Sequence, residues 1–242
     1  MASPRPRLRL FCFPHAGGGA SLYRDWGAHL PACVEVCPVQ LPGRESRSSE
    51  PPRADVATLV SEIADAITPT LDIPFGFFGY SMGSVLGFEV ARELRRRGAP
   101  SPAHLFFAAH RGPRIPPRGP FIHALPNDAF VEGLARLNGM PEEILNDAGV
   151  LAFFLPLLRA DTTICECYRF TNESALPCAF TVYGGTRDPD VTRSDLDAWA
   201  FETASGCTIR MFEGDHFFVN THRSALLDAL HSDLARVVEA LS

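Results

Sequence analysis

The chain has no lysine: all 22 of its basic side chains are arginine, set against 28 acidic ones, for a net charge of -6. The arginines are scattered rather than gathered into a stripe. The electrostatic footprint of a DNA- or RNA-binding surface is therefore missing, and no nucleic-acid partner is expected. Without lysine there is also no phosphate loop ending in Lys-Ser or Lys-Thr. No apolar run reaches the ~20 residues that cross a bilayer, so no membrane contact is expected. The opening Met1-Ala2-Ser3-Pro4-Arg5-Pro6-Arg7 leads into Leu8 to Phe13 without the apolar core and small-residue cleavage site of an export signal, which makes a cytoplasmic protein the expectation. Seven cysteines, an odd number, are expected to be reduced thiols. Cys33 with Cys37, or Cys165 with Cys167, would make half a metal site, but neither pair is joined by a second pair at ligand spacing. Neither a metal nor another cofactor is expected.

What is present is apolar and ordered. At 242 residues and 46% hydrophobic content the chain is long enough for one sizeable core, and a single domain over 1–242 is expected. Runs rich in Val, Phe and Leu recur at Leu8 to Phe13, Val34 to Leu41, Phe75 to Tyr80, Ala103 to Ala108, Ala179 to Tyr183 and Thr208 to Phe212. Helical spacing fills Arg53 to Leu71, Met82 to Arg97 and Asn220 to Leu241. Continuous apolar strands alternating with helices predict an α/β protein, a mainly parallel central sheet with helices on both faces. One stretch breaks the alternation. After the Pro- and Arg-rich loop Arg111 to Pro120, the chain reads as helices over Asp128 to Leu137, Glu142 to Asp147, Gly149 to Leu158 and Thr162 to Arg169. An approximate helical lid insertion over 111–178 is the expected result.

The sharpest chemical signal is Gly79-Tyr80-Ser81-Met82-Gly83, between a predicted strand and a predicted helix. A serine on a tight strand-to-helix turn needs small residues two places to either side, and both positions are glycine; with a strand before it and a helix after it, the pattern predicts the nucleophile turn of an α/β-hydrolase fold. The N–H of Met82, at the positive end of the helix, is one candidate donor to an oxyanion. The glycine-rich turn Pro14-His15-Ala16-Gly17-Gly18-Gly19 after the first strand offers Ala16 as the second. In this fold the base follows the nucleophile and a late strand. Of the histidines, His104, His110, His123, His216, His222 and His231 lie downstream, and only His216 stands in a loop directly after a strand. The acid is expected in the loop Gly184 to Asp190. Asp188 is preferred over Asp190, which has the alternative of capping the helix that begins near Thr192. Asp188 would hold the imidazole of His216 in the tautomer that takes the Ser81 proton.

Taken in order, Phe13 to Gly18, Gln40-Leu41-Pro42-Gly43-Arg44-Glu45, Gly79 to Gly83, Leu155 to Asp161, Gly184 to Pro189 and Gly214 to Phe218 resemble the stand-alone type II thioesterases of polyketide synthase and nonribosomal peptide synthetase pathways. The resemblance covers nearly the whole chain. It implies an enzyme that hydrolyses acyl groups from the phosphopantetheine arm of acyl or peptidyl carrier proteins. The task it implies is clearing stalled or mis-primed units in antibiotic biosynthesis. Ser81, Asp188 and His216 fall on that family's triad and Ala16 and Met82 on its oxyanion hole. Two positions depart from the pattern, Tyr80 where the family often has His and Asp215 where it often has Gly; the first is shared with fatty-acid and chain-releasing thioesterases. The competing expectations are a chain-releasing enzyme or general serine esterase with the same triad, and a scaffold that only binds carrier proteins. Arg111, Arg114 and Arg118 are candidates to guide an acidic carrier. Phe130, Leu134, Phe153 and Phe154 are candidates either for an acyl channel or for helix packing.

Overall fold

The apolar runs become six strands: β1 (Leu8–Phe13), β2 (Val34–Pro38), β3 (Phe75–Tyr80), β4 (His104–Ala108), β5 (Ala179–Gly185) and β6 (Cys207–Phe212). They form one sheet in the order β2-β1-β3-β4-β5-β6, and every neighbouring pair is parallel. The structure, a computed structural model, describes residues 5–136 and 147–241. Every residue of β3 is buried, as a central parallel strand covered on both faces requires.

The period-two alternation of the strands sorts their side chains into two layers. On one face Phe11, Phe13, Phe75 and Phe77 pack with α1 (Val56–Ile67) and α2 (Met82–Arg96). On the other, Leu10, Cys12, Phe78 and Tyr80 pack with Tyr23 and Trp26 and with the C-terminal helix. From β1 the chain moves outward to β2 and then crosses back to β3. The C-terminal ends of β1 and β3 therefore flank the place where strand order reverses, the usual position of a ligand crevice in an open α/β sheet.

Between β4 and β5 the described residues add no strand to the sheet and two long helices, α3 (Asn127–Arg136) and α4 (Ala148–Cys167). The two helices expected over Gly149 to Leu158 and Thr162 to Arg169 are thus one. Arg159, Ala160 and Asp161 between them are all compatible with a helix, and Pro156 removes a single backbone hydrogen bond without ending it. Asp147 caps α4, accepting from the N–H groups of Gly149 and Val150 at 2.9 and 3.0 Å. The helix expected over Glu142 to Asp147 lies, apart from that cap, outside the described residues. Two short helices, α5 (Arg193–Asp197) and α6 (Phe218–Thr221), precede α7 (Arg223–Ala240), so the last expected helix is broken at His222. Among the described residues no helix is long and apolar enough to cross a membrane.

The contact between α2 and β1 leaves no room at Gly83, where a β-carbon would sit 2.1 Å from the Phe13 carbonyl oxygen. Gly83→Ala is expected to lose about 3 kcal/mol of stability in urea unfolding. An unchanged midpoint would mean that this helix does not lie so close to the sheet.

Candidate active site

β3 ends at Tyr80 and α2 begins at Met82, so the chain reverses on Ser81 alone. Ser81 takes φ 51° and ψ -116°, a left-handed conformation that costs a non-glycine residue roughly 1–3 kcal/mol. Surrounding hydrogen bonds hold it there. The Ser81 N–H donates to Ala108 O at 2.8 Å and the Ser84 N–H to Ser81 O at 2.9 Å. Ser84 Oγ lies 2.9 Å from Gly79 O and accepts from the Ala108 N–H at 3.2 Å. Gly79 is small because a β-carbon there would meet Gly83 O at 2.4 Å.

Two distant loops bring their side chains to this serine. His216, after β6, has Nε2 3.0 Å from Ser81 Oγ, and its Nδ1 is 2.8 Å from Asp188 Oδ2, after β5. The Asp188 carboxylate is sealed from solvent, and its other oxygen accepts from the N–H groups of Asp190 and Val191 at 2.9 and 3.1 Å. An acceptor on Nδ1 fixes the hydrogen there and leaves the Nε2 lone pair for the Ser81 hydroxyl. Asp190 does not cap the following helix. Thr192 does, in a reciprocal box with Asp195, because the helix starts at Arg193, three residues beyond Asp190. The Asp190 carboxylate instead lies within 4.8 Å of the ligating atoms of Asp188 and His216.

The two departures from the expected pattern have local partners. The Tyr80 hydroxyl donates to the backbone carbonyl of His216, and burial pushes its pKa up, so it stays protonated. Asp215 accepts from the Phe217 N–H at 2.8 Å and shapes the loop that carries His216.

The glycine turn after β1 faces Ser81 from the other side. Its own N–H bonds run from Gly18 to His15 O at 2.9 Å and from Gly17 to Asp161 Oδ2 at 2.7 Å. The Ala16 N–H is not used in either. Asp161, from the middle of α4, also forms a two-pronged ion pair with Arg44 at 2.8 Å on each prong, and Arg44 donates to Gly18 O at 3.0 Å. Both charges are buried. Arg44 and Asp161 were visible only as members of motif stretches. The available signal was a carboxylate inside the apolar run Leu155 to Ile164, which burial forces to seek a cation.

A cavity of about 250 Å³ opens from Ser81 and is lined among others by Ala16, His110, Arg111, Leu134 and His216. Burial pushes His110 down to about 4, so its ring is neutral, and its Nδ1–H donates to Arg111 O at 2.6 Å. Arg111 Nε is buried without a hydrogen-bond partner among the described residues. Arg114 pairs instead with Glu202, and Arg118 takes both oxygens of Asp195 at 3.0 and 2.6 Å. Two of the three candidate docking arginines are therefore engaged internally. Leu134 reaches the cavity; Phe130 packs in a small cluster with Ile122, and Phe153 is 64% exposed.

Comparison with known proteins gives a consistent result. The family model described as "Thioesterase domain" matches residues 8–234. Linear gramicidin dehydrogenase LgrE of Brevibacillus parabrevis is 42% identical over 93% of this chain and 87% of its own. Gramicidin S biosynthesis protein GrsT of Aneurinibacillus migulanus is 39% identical over 96% of this chain and 91% of its own. Among solved structures, RedJ, a thioesterase from the prodiginine pathway of Streptomyces coelicolor, superposes with a TM-score of 0.86 at 38% identity, covering 94% of this chain and 85% of its own.

Arg44→Ala strands the Asp161 carboxylate in the interior and is expected to cost about 3–5 kcal/mol in urea unfolding; a loss under 1 kcal/mol would show the pair to be solvated. Acid should also weaken the fold through histidine. Burial pushes both His104 and His110 down to about 4, against an ordinary 6.5. Between those values the unfolded chain binds protons that the folded chain refuses, so stability is full above pH ~6.5 and falls toward pH ~4. The urea midpoint should drop over that range, and less steeply in His104→Gln; equal slopes would remove His104 from the account.

Proposed function

The chain belongs to the thioesterase-domain family, and on that premise we propose that it is an editing thioesterase working through an acyl-serine intermediate. The substrate is an acyl or short peptidyl group on the phosphopantetheine arm of a carrier protein in polyketide or nonribosomal peptide assembly. The work is done in the cytoplasm, beside those assembly enzymes. The sheet is that of an α/β-hydrolase, and we take the chain to act as one unit whose expected lid, 111–178, includes the described Arg111, Leu134, Leu158 and Thr162 on the cavity wall.

Ser81 Oγ attacks the thioester carbonyl as His216 Nε2 takes its proton. The negative charge that forms on the carbonyl oxygen is met by the N–H groups of Ala16 and Met82, each worth on the order of 3 kcal/mol to the transition state. Collapse breaks the carbon–sulfur bond; the thiolate leaves with the proton from His216, and the acyl group remains on Ser81. Water, deprotonated by His216, then attacks the ester and releases the carboxylic acid and the Ser81 hydroxyl. Asp188 holds the ring in register and stabilises the imidazolium that forms twice per turnover. The observation that carries this reading is the unbroken chain Ser81 Oγ, His216, buried Asp188, at 3.0 and 2.8 Å, at the mouth of the cavity.

The name dehydrogenase stays with the relative that bears it. A dinucleotide-binding turn presents free N–H groups to a pyrophosphate. Here Gly17 is engaged by Asp161 and Gly18 by His15 O.

Single-turnover hydrolysis of short and medium acyl carrier-protein thioesters tests the proposal. Release should depend on Ser81, vanish in Ser81→Ala, and exceed cleavage of matched oxygen esters; Asp188→Asn should lower kcat by on the order of 10⁴. Robust ester cleavage with no release from any carrier would leave a general serine esterase, and an unaltered rate in Ser81→Ala would remove the serine mechanism altogether.

A further inference from the structure

A second nucleophile–base–acid arrangement stands at the C-terminal end of α4, where Glu166 lines the Ser81 cavity and Cys167 lines a separate groove. Glu166 accepts from the N–H of Ile122 at 2.9 Å, from the N–H of His123 at 2.9 Å and from His123 Nδ1 at 2.5 Å. The imidazole is thereby fixed with its hydrogen on Nδ1, and its Nε2 lone pair points to Cys167 Sγ, 3.5 Å away. Cys167 ends α4 and is exposed, and it borders a groove of about 500 Å³ that also receives Arg96 and Arg169. His123 was among the histidines positioned for a base role that Ser81 does not use.

Thiols react as thiolates, and a thiol becomes reactive when it is accessible and has a base within reach. Cys12 and Cys178 are buried, and Cys37, Cys165 and Cys207 are half-covered. Burial pushes Cys37 and Cys207 up to about 11 and Cys165 and Cys178 up to about 12, and it pushes Cys12 well up too, which suppresses their thiolates. Cys33 is half-covered and has no ring nitrogen beside it among the described residues. Only Cys167 among them joins exposure to a base.

We propose that Cys167 is a thiol-modification site, activated by His123 and oriented through Glu166, that exchanges with low-molecular-weight disulfides. The Cys167 proton passes to His123 Nε2 as Sγ attacks one sulfur of the incoming disulfide. A new Cys167 S–S bond forms, the old S–S bond breaks, and the departing thiolate takes the proton from His123 to leave as a thiol. Cys167 is oxidised and half of the small disulfide is reduced, so nothing further is consumed. Displacement at sulfur is favoured over acyl capture because it develops no oxyanion. The two backbone N–H groups nearest the ring, those of Ile122 and His123, are already held by Glu166.

The full chain is incubated at pH 7 with oxidised glutathione and, separately, with iodoacetamide, and adducts are located by peptide mapping. Cys167 should carry the first adduct with both reagents and react about tenfold faster in the native chain than in His123→Gln. Cys167→Ser should show no early adduct, and His123→Gln should keep the native circular dichroism spectrum, which shows that variant to be folded. First modification at Cys33, or an equal Cys167 rate in folded His123→Gln, would overturn the proposal. Neither result bears on the role of Ser81, because the readout is thiol chemistry alone.

Discussion

The reversal at Ser81 is the constraint to which the rest of the molecule is fitted. A serine at φ 51° is unfavourable by itself, and it persists because its neighbours leave no alternative. Gly79 lies against Gly83, Gly83 lies against the carbonyl of Phe13, and Ser84 ties the turn to β4 through Ala108. Three of the six strands therefore share in holding one residue. The same tightness presses α2 onto β1 and β3 and produces the apolar layer of Phe13, Phe77 and Leu86. The strained residue and this apolar layer are one feature seen from two sides.

A second device acts across the sequence rather than within it. Arg44 follows β2, Gly17 and Gly18 follow β1, and Asp161 is in the middle of α4; the buried ion pair meets all three at once. Burying two charges is expensive, and in this case each charge has backbone as well as ionic partners, which is the condition under which such a pair is tolerated. Its return is geometric. The glycine turn that faces Ser81 cannot shift without disturbing α4, and α4 carries Leu158 and Thr162 on the cavity wall.

The strands were legible because their side chains are apolar in continuous runs, and β1 and β3 end where the pattern says they do. Boundaries moved where a local rule met a tertiary one. β2 stops at Pro38 because an edge strand ends readily at a proline, and α4 runs through Pro156 because packing supports the helix on both sides of it. Ser81, His216 and Asp188 could be singled out one by one, since each stands in a loop directly after a strand. What no local pattern reveals is pairing at long separation. Arg44 and Asp161 are 117 positions apart, and Tyr80 and His216 are 136 apart. The arginines of the 111–118 loop show the same limit: in sequence they are candidates to guide an acidic carrier, and in three dimensions Glu202 and Asp195 engage two of them.

The bond from the Tyr80 hydroxyl to the His216 carbonyl has a consequence for how the site is held. Tyr80, the last residue of β3, and Ser81, the next in the chain, thus meet the backbone and the ring of His216 respectively. The loop after β6 is thereby tied to β3, at the centre of the sheet, as well as to its own edge strand. Serine and histidine therefore share one anchor, the C-terminal end of β3, although their own strands are three places apart in the sheet.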